Sequence, residues 1–474
     1  MPSKFIARLL VFFSIGIGAG SVARGQVNIT TWQGNLQHTG LNSSETVLTP
    51  AAVGSPGNFG LLFTQQTDGQ TYGQPLYVSS ATLGQFADGS THNVVYVGTQ
   101  AGSLYAFDAD SDPLGTNPNG TDSAPLWHKS LIPSGCQPIT QNDVASTDIL
   151  GDLAVTTTPV IDTTSGTIYI VSTIINPAVT PKYQQLLYAL DLKTGAPKFG
   201  SPVVVNASFS GTPVTPGGAD KDPVASPGPG LIPFSPLHEH LRAAMILYNG
   251  VIYLTYASHS DEQPYYGEIL GYNATTLQQV STFITVPNNT GGEAGIWQSG
   301  AGPAIDASGN MYVVTGNGVF DQNASSFTTA TDWGESVLKL PTDTTGAIQL
   351  PFSDTTSWFT PSNWAQLNSG DNQVTPGLPG DRDLGSGGML LLPDQTQGSH
   401  THIMVGGGKA GVLYVLDRDS LGGINANDSS AIQEILEPSG NSLFVTPAYF
   451  NGNIYYAPDG GALEQRQVDR KSVV

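Results

Sequence analysis

The chain has 474 residues, of which 11% are charged and 39% are hydrophobic, and it contains 57 glycines and 33 prolines. Its formal net charge of −21 would repel phosphate backbones and anionic lipid headgroups, so we exclude nucleic acid and membrane surfaces as partners. Solubility is the plainest reason for this acidity, and cation binding is the sharper alternative. The single cysteine, Cys136, excludes an intramolecular disulfide and a thiolate metal cluster.

The first 23 residues have the pattern of an export signal. Basic residues precede a short apolar stretch, residues 9–17, which is too brief to span a bilayer comfortably. Small residues before the next arginine predict cleavage after Ala23. No later apolar run approaches membrane-spanning length. We therefore expect residues 1–23 to be a signal peptide and residues 24–474 to form a secreted or periplasmic domain.

A repeated set of short apolar segments follows. One segment, bounded by Gly or Asn and usually carrying Tyr, recurs in residues 93–98, 166–171, 250–255, 309–314, 402–406 and 452–456. A second segment follows most copies, as in Leu104–Asp108, and a third precedes each copy, as in Gln74–Val78. This pattern predicts that each unit consists of three strands joined by turns, followed by a variable stretch that forms a fourth strand.

The strands have apolar residues on both faces, as in residues 94–97. Blades stacked around an axis cover both faces of each sheet, which produces this pattern. We predict an all-β fold, a β-propeller of four-stranded blades with six repeats visible. A sandwich or barrel of short strands is the alternative. The irregular spacing predicts insertions, at the Pro/Gly/Ser-rich residues 203–236 and at the polar residues 341–383.

Two motifs resemble a known family. Gly102–Asp108 reads Gly-Ser-Leu-Tyr-Ala-Phe-Asp and resembles the repeat of pyrroloquinoline-quinone (PQQ) propellers, and Trp32–Gly40 resembles the opening motif of secreted bacterial members. The resemblance spans roughly residues 30–466. Dehydrogenases of this type usually close with eight blades, so the resemblance allows six to eight. The residues after Leu463 lack the repeat pattern, which predicts an array truncated at its C-terminus.

The resemblance implies a fold more specifically than an activity, because the same repeat serves dehydrogenases and outer-membrane assembly scaffolds. Our leading hypothesis is a scaffold that binds an unknown protein or small-molecule ligand through its channel face. The alternative is a PQQ- and calcium-dependent quinoprotein oxidoreductase of alcohols or sugars. A second alternative is a glycan-binding or glycan-degrading propeller, suggested by export and by aromatic residues, namely Trp297, Trp333, Trp358 and Trp364.

The resemblance also implies a cofactor site. In PQQ-dependent alcohol dehydrogenases a Thr-Gly-Asn segment supplies an amide oxygen to calcium, and Thr315–Asn317 matches it. Asn317 would then be a calcium ligand, with Glu293 and Asp321 as partner carboxylates, and Asn317 and Glu293 would lie at the PQQ. The simpler interpretation is a turn with Asn317 in a left-handed conformation. One cysteine cannot form the vicinal pair that these enzymes often carry over the quinone.

Two further polar clusters are candidates for ligand binding. His259 and Asp261 follow a predicted strand, with Tyr266 downstream and Arg242 upstream, and such a group can bind a divalent cation or shuttle protons. A hydrogen-bonded loop is the simpler interpretation of this group. The second cluster has an arginine between two aspartates, Asp381 and Asp383. A local ion pair or a cation site would explain it.

Overall fold

The computed structural model describes residues 27–46, 48–55, 57, 60–61, 63–110, 124–213, 223–288, 292–321, 332–349, 354–368, 381–396, 398–437 and 440–468. The predicted signal peptide, residues 1–23, lies outside the described residues. Within them the helices are single turns. The α-helices are α1 (Pro50–Val53), α2 (Ser80–Leu83) and α3 (Trp364–Asn368). The 3-10 turns are Trp32–Gly34, Gln298–Gly300, Thr355–Ser357, Leu384–Ser386 and Ala426–Asp428.

The strands form consecutive antiparallel sheets. Sheet 1 contains β1 (Leu76–Val78), β2 (Val94–Thr99), β3 (Ser103–Asp108) and β4 (Trp127–Ser130). Sheet 2 contains β5 (Gln137–Pro138), β6 (Val160–Asp162), β7 (Thr167–Ile175), β8 (Tyr183–Asp191) and β9 (Val203–Val204). A separate hairpin contains β10 (Ser208–Ser210) and β11 (Leu231–Pro233). Sheet 3 contains β12 (Ile246–Tyr248), β13 (Val251–Tyr256), β14 (Glu268–Asn273) and β15 (Gln279–Ile284).

The second half of the chain repeats this order. Sheet 4 contains β16 (Ala304–Ile305), β17 (Asn310–Val314), β18 (Val337–Pro341) and β19 (Trp358–Phe359). Sheet 5 contains β20 (Leu390–Leu391), β21 (Ile403–Gly407), β22 (Val412–Asp417) and β23 (Gln433–Leu436). Sheet 6 contains β24 (Ala448–Phe450), β25 (Asn453–Tyr456) and β26 (Glu464–Gln467). The prediction of an all-β propeller is confirmed, and each predicted repeat falls on one sheet.

Two details differ from the sequence prediction. The two segments predicted as insertions, residues 203–236 and 341–383, contain β9 and β19, which are the outer strands of sheets 2 and 4. Residues 464–467, which lack the repeat pattern, form β26, because Glu464 and Gln467 pair opposite Tyr456 and Asn453 on β25. Strand pairing there uses backbone groups, so the polar side chains of β26 gave no apolar signal.

Apolar clusters between consecutive sheets hold the ring together. Five clusters of buried residues join sheets 1 and 2, 2 and 3, 3 and 4, 4 and 5, and 5 and 6, among the described residues. Strands β7, β13 and β21 are buried on both faces, whereas β2 alternates between buried and half-buried residues and β24 has only half-buried and exposed residues. At about 25 cal/mol per Å² of apolar surface removed from water, these interfaces are the main stabilising term.

The repeated tyrosine of the second strand also has a defined hydrogen bond. In sheets 1 to 3 its hydroxyl crosses to the neighbouring sheet and donates to a backbone carbonyl in a turn there, whereas Tyr312 of sheet 4 donates to Asp306 Oδ2 of its own sheet. Tyr96 donates to Leu192 O at 2.9 Å, Tyr169 to Ala274 O at 2.9 Å and Tyr253 to Gly346 O at 2.6 Å. A buried hydroxyl needs a partner, so this bond helps to fix sheets 1 to 4 against one another.

The segment Ile29–Thr39 crosses the first strands of several sheets. Its backbone bonds to Tyr77 of sheet 1 and receives hydrogen bonds from Ile161, Ile305, Leu391 and Tyr449, on sheets 2, 4, 5 and 6. A short segment can reach five sheets only where their first strands converge, so it lies at the propeller axis. No helix among the described residues is long and apolar enough to cross a membrane.

Candidate functional site

A cavity of about 350 Å³ lies at the propeller axis. Segments that lead into the first strands of all six sheets contribute to its lining, among them Tyr72, Leu153, Arg242, Trp297, Asp383 and Phe444. Loops at the axis of a rigid ring are free to carry polar residues, because the sheets behind them supply the stability. The remaining polar lining comes from Ser146, Asp148, His240, Ser258, His259, Ser260, Asp261, Ser299, Asn317, Asp381, Ser386 and Lys409.

Arg242 is a cation of this cavity without a carboxylate partner. Among the described residues its guanidinium forms no ion pair and donates no hydrogen bond to a side chain or carbonyl. Burial lowers the pKa of Arg242 from its ordinary value, which shows the cost of removing this charge from water. A guanidinium in this state is prepared to bind an anion.

Lys409 is a second cation, and two carboxylates hold it. Its ammonium bonds Asp381 and lies 3.1 Å from Asp383 Oδ1. Burial alone would lower the pKa of Lys409, but the charges of Asp383 and Asp381 raise it above its usual value. Lys409 therefore remains charged in the cavity wall across the physiological pH range.

Trp297 is one of the aromatic side chains of the cavity. Its ring meets Tyr265 edge-on at 5.7 Å, and the Tyr265 hydroxyl donates to Asp261 Oδ1 at 2.7 Å. The backbone of Gly316 lies against the same ring, where a Cβ would stand 2.7 Å from the indole and 2.9 Å from Asp383 Oδ2. Position 316 therefore requires glycine because these neighbouring atoms leave no room for a Cβ. Its backbone is not in the left-handed region.

Two stacked histidines, His240 and His259, form another part of the wall. Their ring centres are 4.0 Å apart, and His240 Nε2 bonds the Thr156 hydroxyl at 2.9 Å. Burial, with a contribution from His238, lowers the pKa of His259 to about 3. Burial, His259 and Arg242 lower the pKa of His240 well below its usual range. Both rings are therefore neutral at physiological pH, and they add no positive charge beside Arg242.

The structure gathers most of the residues singled out in the sequence into this one cavity. The predicted ligand-binding residues that line it are Arg242, His259, Asp261, Asp381 and Asp383, and the predicted calcium ligand Asn317 joins them. Tyr266 is buried outside the lining, where its backbone N–H donates to Glu239 Oε1 at 2.9 Å. The cluster of His259 and Asp261 and the cluster of Asp381 and Asp383 are far apart in sequence but lie in one cavity, because a segment before the first strand of every sheet reaches the axis.

The other two predicted calcium ligands are not part of this lining. Glu293 Oε1 accepts a hydrogen bond from Gln263 Nε2 at 2.8 Å, and Asp321 Oδ1 accepts one from Asp332 N at 3.1 Å. The backbone of Glu293 pairs with that of Gly318, next to Asn317, but of the three predicted ligands only Asn317 lines the cavity. Among the described residues no group of three or more His, Cys, Asp or Glu side chains is placed to hold a metal ion.

The structure contradicts two expectations from the sequence. Asn317 does not have a positive φ, so the left-handed turn is wrong; its carbonyl instead accepts a bond from Ala294 N at 2.6 Å. The tryptophans do not form an exposed platform, because Trp333 and Trp358 are buried and pack with Phe320 and Trp364. Trp297 alone of the four lines the cavity.

Sequence reasoning missed Lys409 as a site residue. It follows three glycines, Gly406 to Gly408, a pattern that suggests a phosphate loop but lacks its spacing. A lysine next to a buried strand in a chain with few charged residues was the available signal. Only the packing of sheet 5 shows that it meets Asp381 and Asp383.

Comparison with known proteins finds solved structures with a similar fold. No family model and no curated protein matches this chain. A quinohemoprotein alcohol dehydrogenase from Pseudomonas putida superposes with a TM-score of 0.53 at 14% identity, over 94% of this chain and 60% of that enzyme. One from Comamonas testosteroni gives 0.51 at 15% identity, over 93% and 58%. The chain thus spans about 60% of the length of these enzymes.

These likenesses show the fold. The chain is an all-β propeller. At 14–15% identity they do not carry an activity across.

Proposed function

We propose that this chain is an exported β-propeller that binds a small, planar anion in its axial cavity, and that the anion is pyrroloquinoline quinone. The observation that carries this proposal is Arg242, a guanidinium in the cavity wall without a carboxylate partner among the described residues. Leaving such a cation unpaired costs free energy, and a bound carboxylate would recover it. This specifies the ligand-binding scaffold predicted from the sequence.

The organic cofactor suits the groups present. Pyrroloquinoline quinone is a flat, tricyclic tricarboxylate. The planar fork of Arg242 matches a carboxylate, Lys409 offers a second positive charge, and the Trp297 indole offers a flat apolar surface. A cavity of about 350 Å³ lies within the range of small-molecule sites.

Calcium does not fit the same cavity on the ligands predicted. Asn317 lines it, but Glu293 and Asp321 do not, and Lys409 already occupies Asp381 and Asp383. Calcium needs six to eight oxygens. We therefore assign no step to a metal ion at this site.

An oxidoreductase is the second candidate, and Asp383 favours it. This carboxylate is 3% exposed and lies beside Gly316 in the cavity wall. A carboxylate in that position would accept the hydroxyl proton of an alcohol, while the quinone, when bound, would take the carbon-bound hydrogen together with two electrons, as a hydride. Since the superposed enzymes are alcohol dehydrogenases, primary alcohols are the substrates to test first.

Quinone titration tests the proposal. Purified mature protein is titrated with pyrroloquinoline quinone and followed by calorimetry and absorbance, as wild type and as Arg242→Gln. Loss of a charge-assisted hydrogen bond costs about 1.5–3 kcal/mol, so we expect Kd to rise roughly tenfold to a hundredfold. Arg466→Gln is the matched control, because Arg466 pairs with Glu464 on sheet 6 and its loss changes the net charge equally.

The outcomes separate the candidates. Stoichiometric binding weakened by Arg242→Gln but not by Arg466→Gln supports the quinone site. Turnover of an alcohol with an artificial acceptor, abolished by Asp383→Asn with binding retained, supports the oxidoreductase. Folded protein that binds no quinone contradicts the proposal and returns the search to protein partners.

A further inference from the structure

A second polar centre lies between sheets 2 and 3, and its residues are not part of the axial lining. It contains two carboxyl groups, Glu239 with 1% of its surface exposed and Glu268 with none. Glu268 begins β14, and Glu239 lies on the segment that leads towards β12. Carboxylates are almost never fully buried without a partner, so this pair requires a physical explanation.

The oxygens of this pair are short of partners. Glu239 Oε1 accepts a hydrogen bond from Tyr266 N, but Glu239 Oε2 and both oxygens of Glu268 accept none. Among the described residues neither carboxylate forms an ion pair with Lys, Arg or His. Removing one partner from a buried charge costs about 3–5 kcal/mol, so two charges cannot remain uncompensated here.

Two neutral side chains, one from each sheet, lie next to the pair. Each has a further oxygen without a partner. Tyr256 lies directly opposite Glu268 across β13 and β14, on the face towards sheet 2, and its hydroxyl has no hydrogen bond. Burial, Tyr272 and the charges of Glu268 and Glu239 raise the pKa of Tyr256. Both Tyr256 and Glu268 are fully buried.

The second neutral group is the Gln185 amide of sheet 2. Its Nε2 donates to Glu239 O at 2.7 Å and to Pro236 O at 3.3 Å. If the amide were flipped, its oxygen would face these two carbonyl oxygens, so its orientation is fixed. Its Oε1 has no partner, and the residue is fully buried. Gln185 Oε1 and the Tyr256 hydroxyl thus add two oxygens without donors to the three of Glu239 and Glu268, all between sheets 2 and 3.

We propose that Glu239, Glu268, Tyr256 and Gln185 form a calcium site that links sheet 2 to sheet 3. Carboxylate and carbonyl oxygens are the ligands that this hard cation takes, six to eight at a time, and a double positive charge would balance two carboxylates. The set has two acidic residues, so neutral oxygens and water complete the shell. The site is independent of the quinone proposal, since none of these residues lines the axial cavity.

Metal analysis and melting test the site on the full mature chain. We expect chelated wild type to regain one calcium ion by mass spectrometry of the metal, and its melting midpoint at pH 7.5 to rise by ~5 °C. Glu268→Gln should lose both effects. Glu335→Gln, at another fully buried glutamate, is the matched control and should keep them. Asn317→Ala should also keep them, which separates this site from the axial cavity.

Several outcomes would overturn the proposal. Wild type that holds no calcium, with a melting midpoint indifferent to it, would show that the pair is neutralised by protons alone. Protection by sodium or magnesium and not by calcium would assign another ion. Should Glu268→Gln fail to fold, Tyr256→Phe and the wild-type metal content decide: one calcium that Tyr256→Phe binds as tightly as wild type would place the ion elsewhere.

Discussion

His259 and His240 show how neutral groups define the charge of the axial cavity. Their stacked rings lie in the same wall as Arg242. A protonated ring there would meet the guanidinium, and the charge of Arg242 is one reason why the pKa of His240 is lowered. Among the described residues Arg242 is thus the cation of the lining without a carboxylate partner, which gives an anion one point of attachment.

Protonation of His259 should make stability depend on pH. Its pKa is lowered from 6.5 to about 3 by burial and His238, so only the unfolded chain takes up a proton between those values. The contribution of His259 to the free energy of unfolding is therefore fully present above pH 6.5 and is lost as the pH falls towards 3. Between pH 6.5 and 5 we expect a loss of about 2 kcal/mol from this residue, measured by urea unfolding.

His259→Gln should show a smaller loss between the two pH values than wild type. His128→Gln is the control, because His128 is exposed on β4. Equal pH slopes for wild type and His259→Gln would contradict the buried neutral state of His259.

At the level of elements, the structure gives a reason for the aspartate that ends the second repeated segment. The second predicted segment ends in aspartate, and in sheets 1 and 5 that aspartate binds a histidine just before the preceding strand. His92 Nδ1 lies 2.6 Å from Asp108 Oδ2, and His400 Nδ1 lies 2.6 Å from Asp417 Oδ2. The same pair at the same place in two blades indicates a structural role, the joining of strand ends.

The segment Ile29–Thr39 has a role that no blade has. It bonds the first strands of five sheets, and Gln33 joins the two ends of the ring: its N–H donates to Gln74 Oε1 and its Nε2 to Thr446 O. Among the described residues no apolar cluster joins sheet 6 to sheet 1. The axial segment therefore supplies contacts that side-chain packing does not.

Deletion of residues 24–40 should destabilise the propeller. Each net hydrogen bond contributes about 1 kcal/mol, so loss of the axial bonds should lower the melting midpoint by more than ~10 °C. Deletion of residues 24–26, which stops short of the segment, is the control. A midpoint unchanged by the longer deletion would show that the sheets hold their ring without it.

For the whole molecule, export is the prediction that mass spectrometry can test. Expressed in a bacterial host, the protein should appear outside the cytoplasm with Arg24 as its first residue, because signal peptidase reads the small Ala23. Ala23→Leu should block cleavage and leave residues 1–23 attached. Uncleaved wild-type protein in the cytoplasm would contradict the signal.

The amino-acid sequence by itself determined the propeller, because each blade depends on local information. Two-sided apolar strands, glycine turns and a repeated tyrosine recur along the chain, and sheets stack wherever both faces must be buried. The polar segments between strands marked Arg242, His259 and Asp383 for the same reason, since loops carry what the sheets cannot bury.

Only the tertiary structure decided which of these residues act together. Arg242, Asn317 and Lys409 are separated in sequence and meet because all six sheets direct a segment to one axis. Glu293 and Glu239 look alike in sequence, yet one bonds Gln263 and the other is buried beside Glu268. Burial and pairing of a charge depend on the neighbouring sheet, and no local pattern records which residues that sheet supplies.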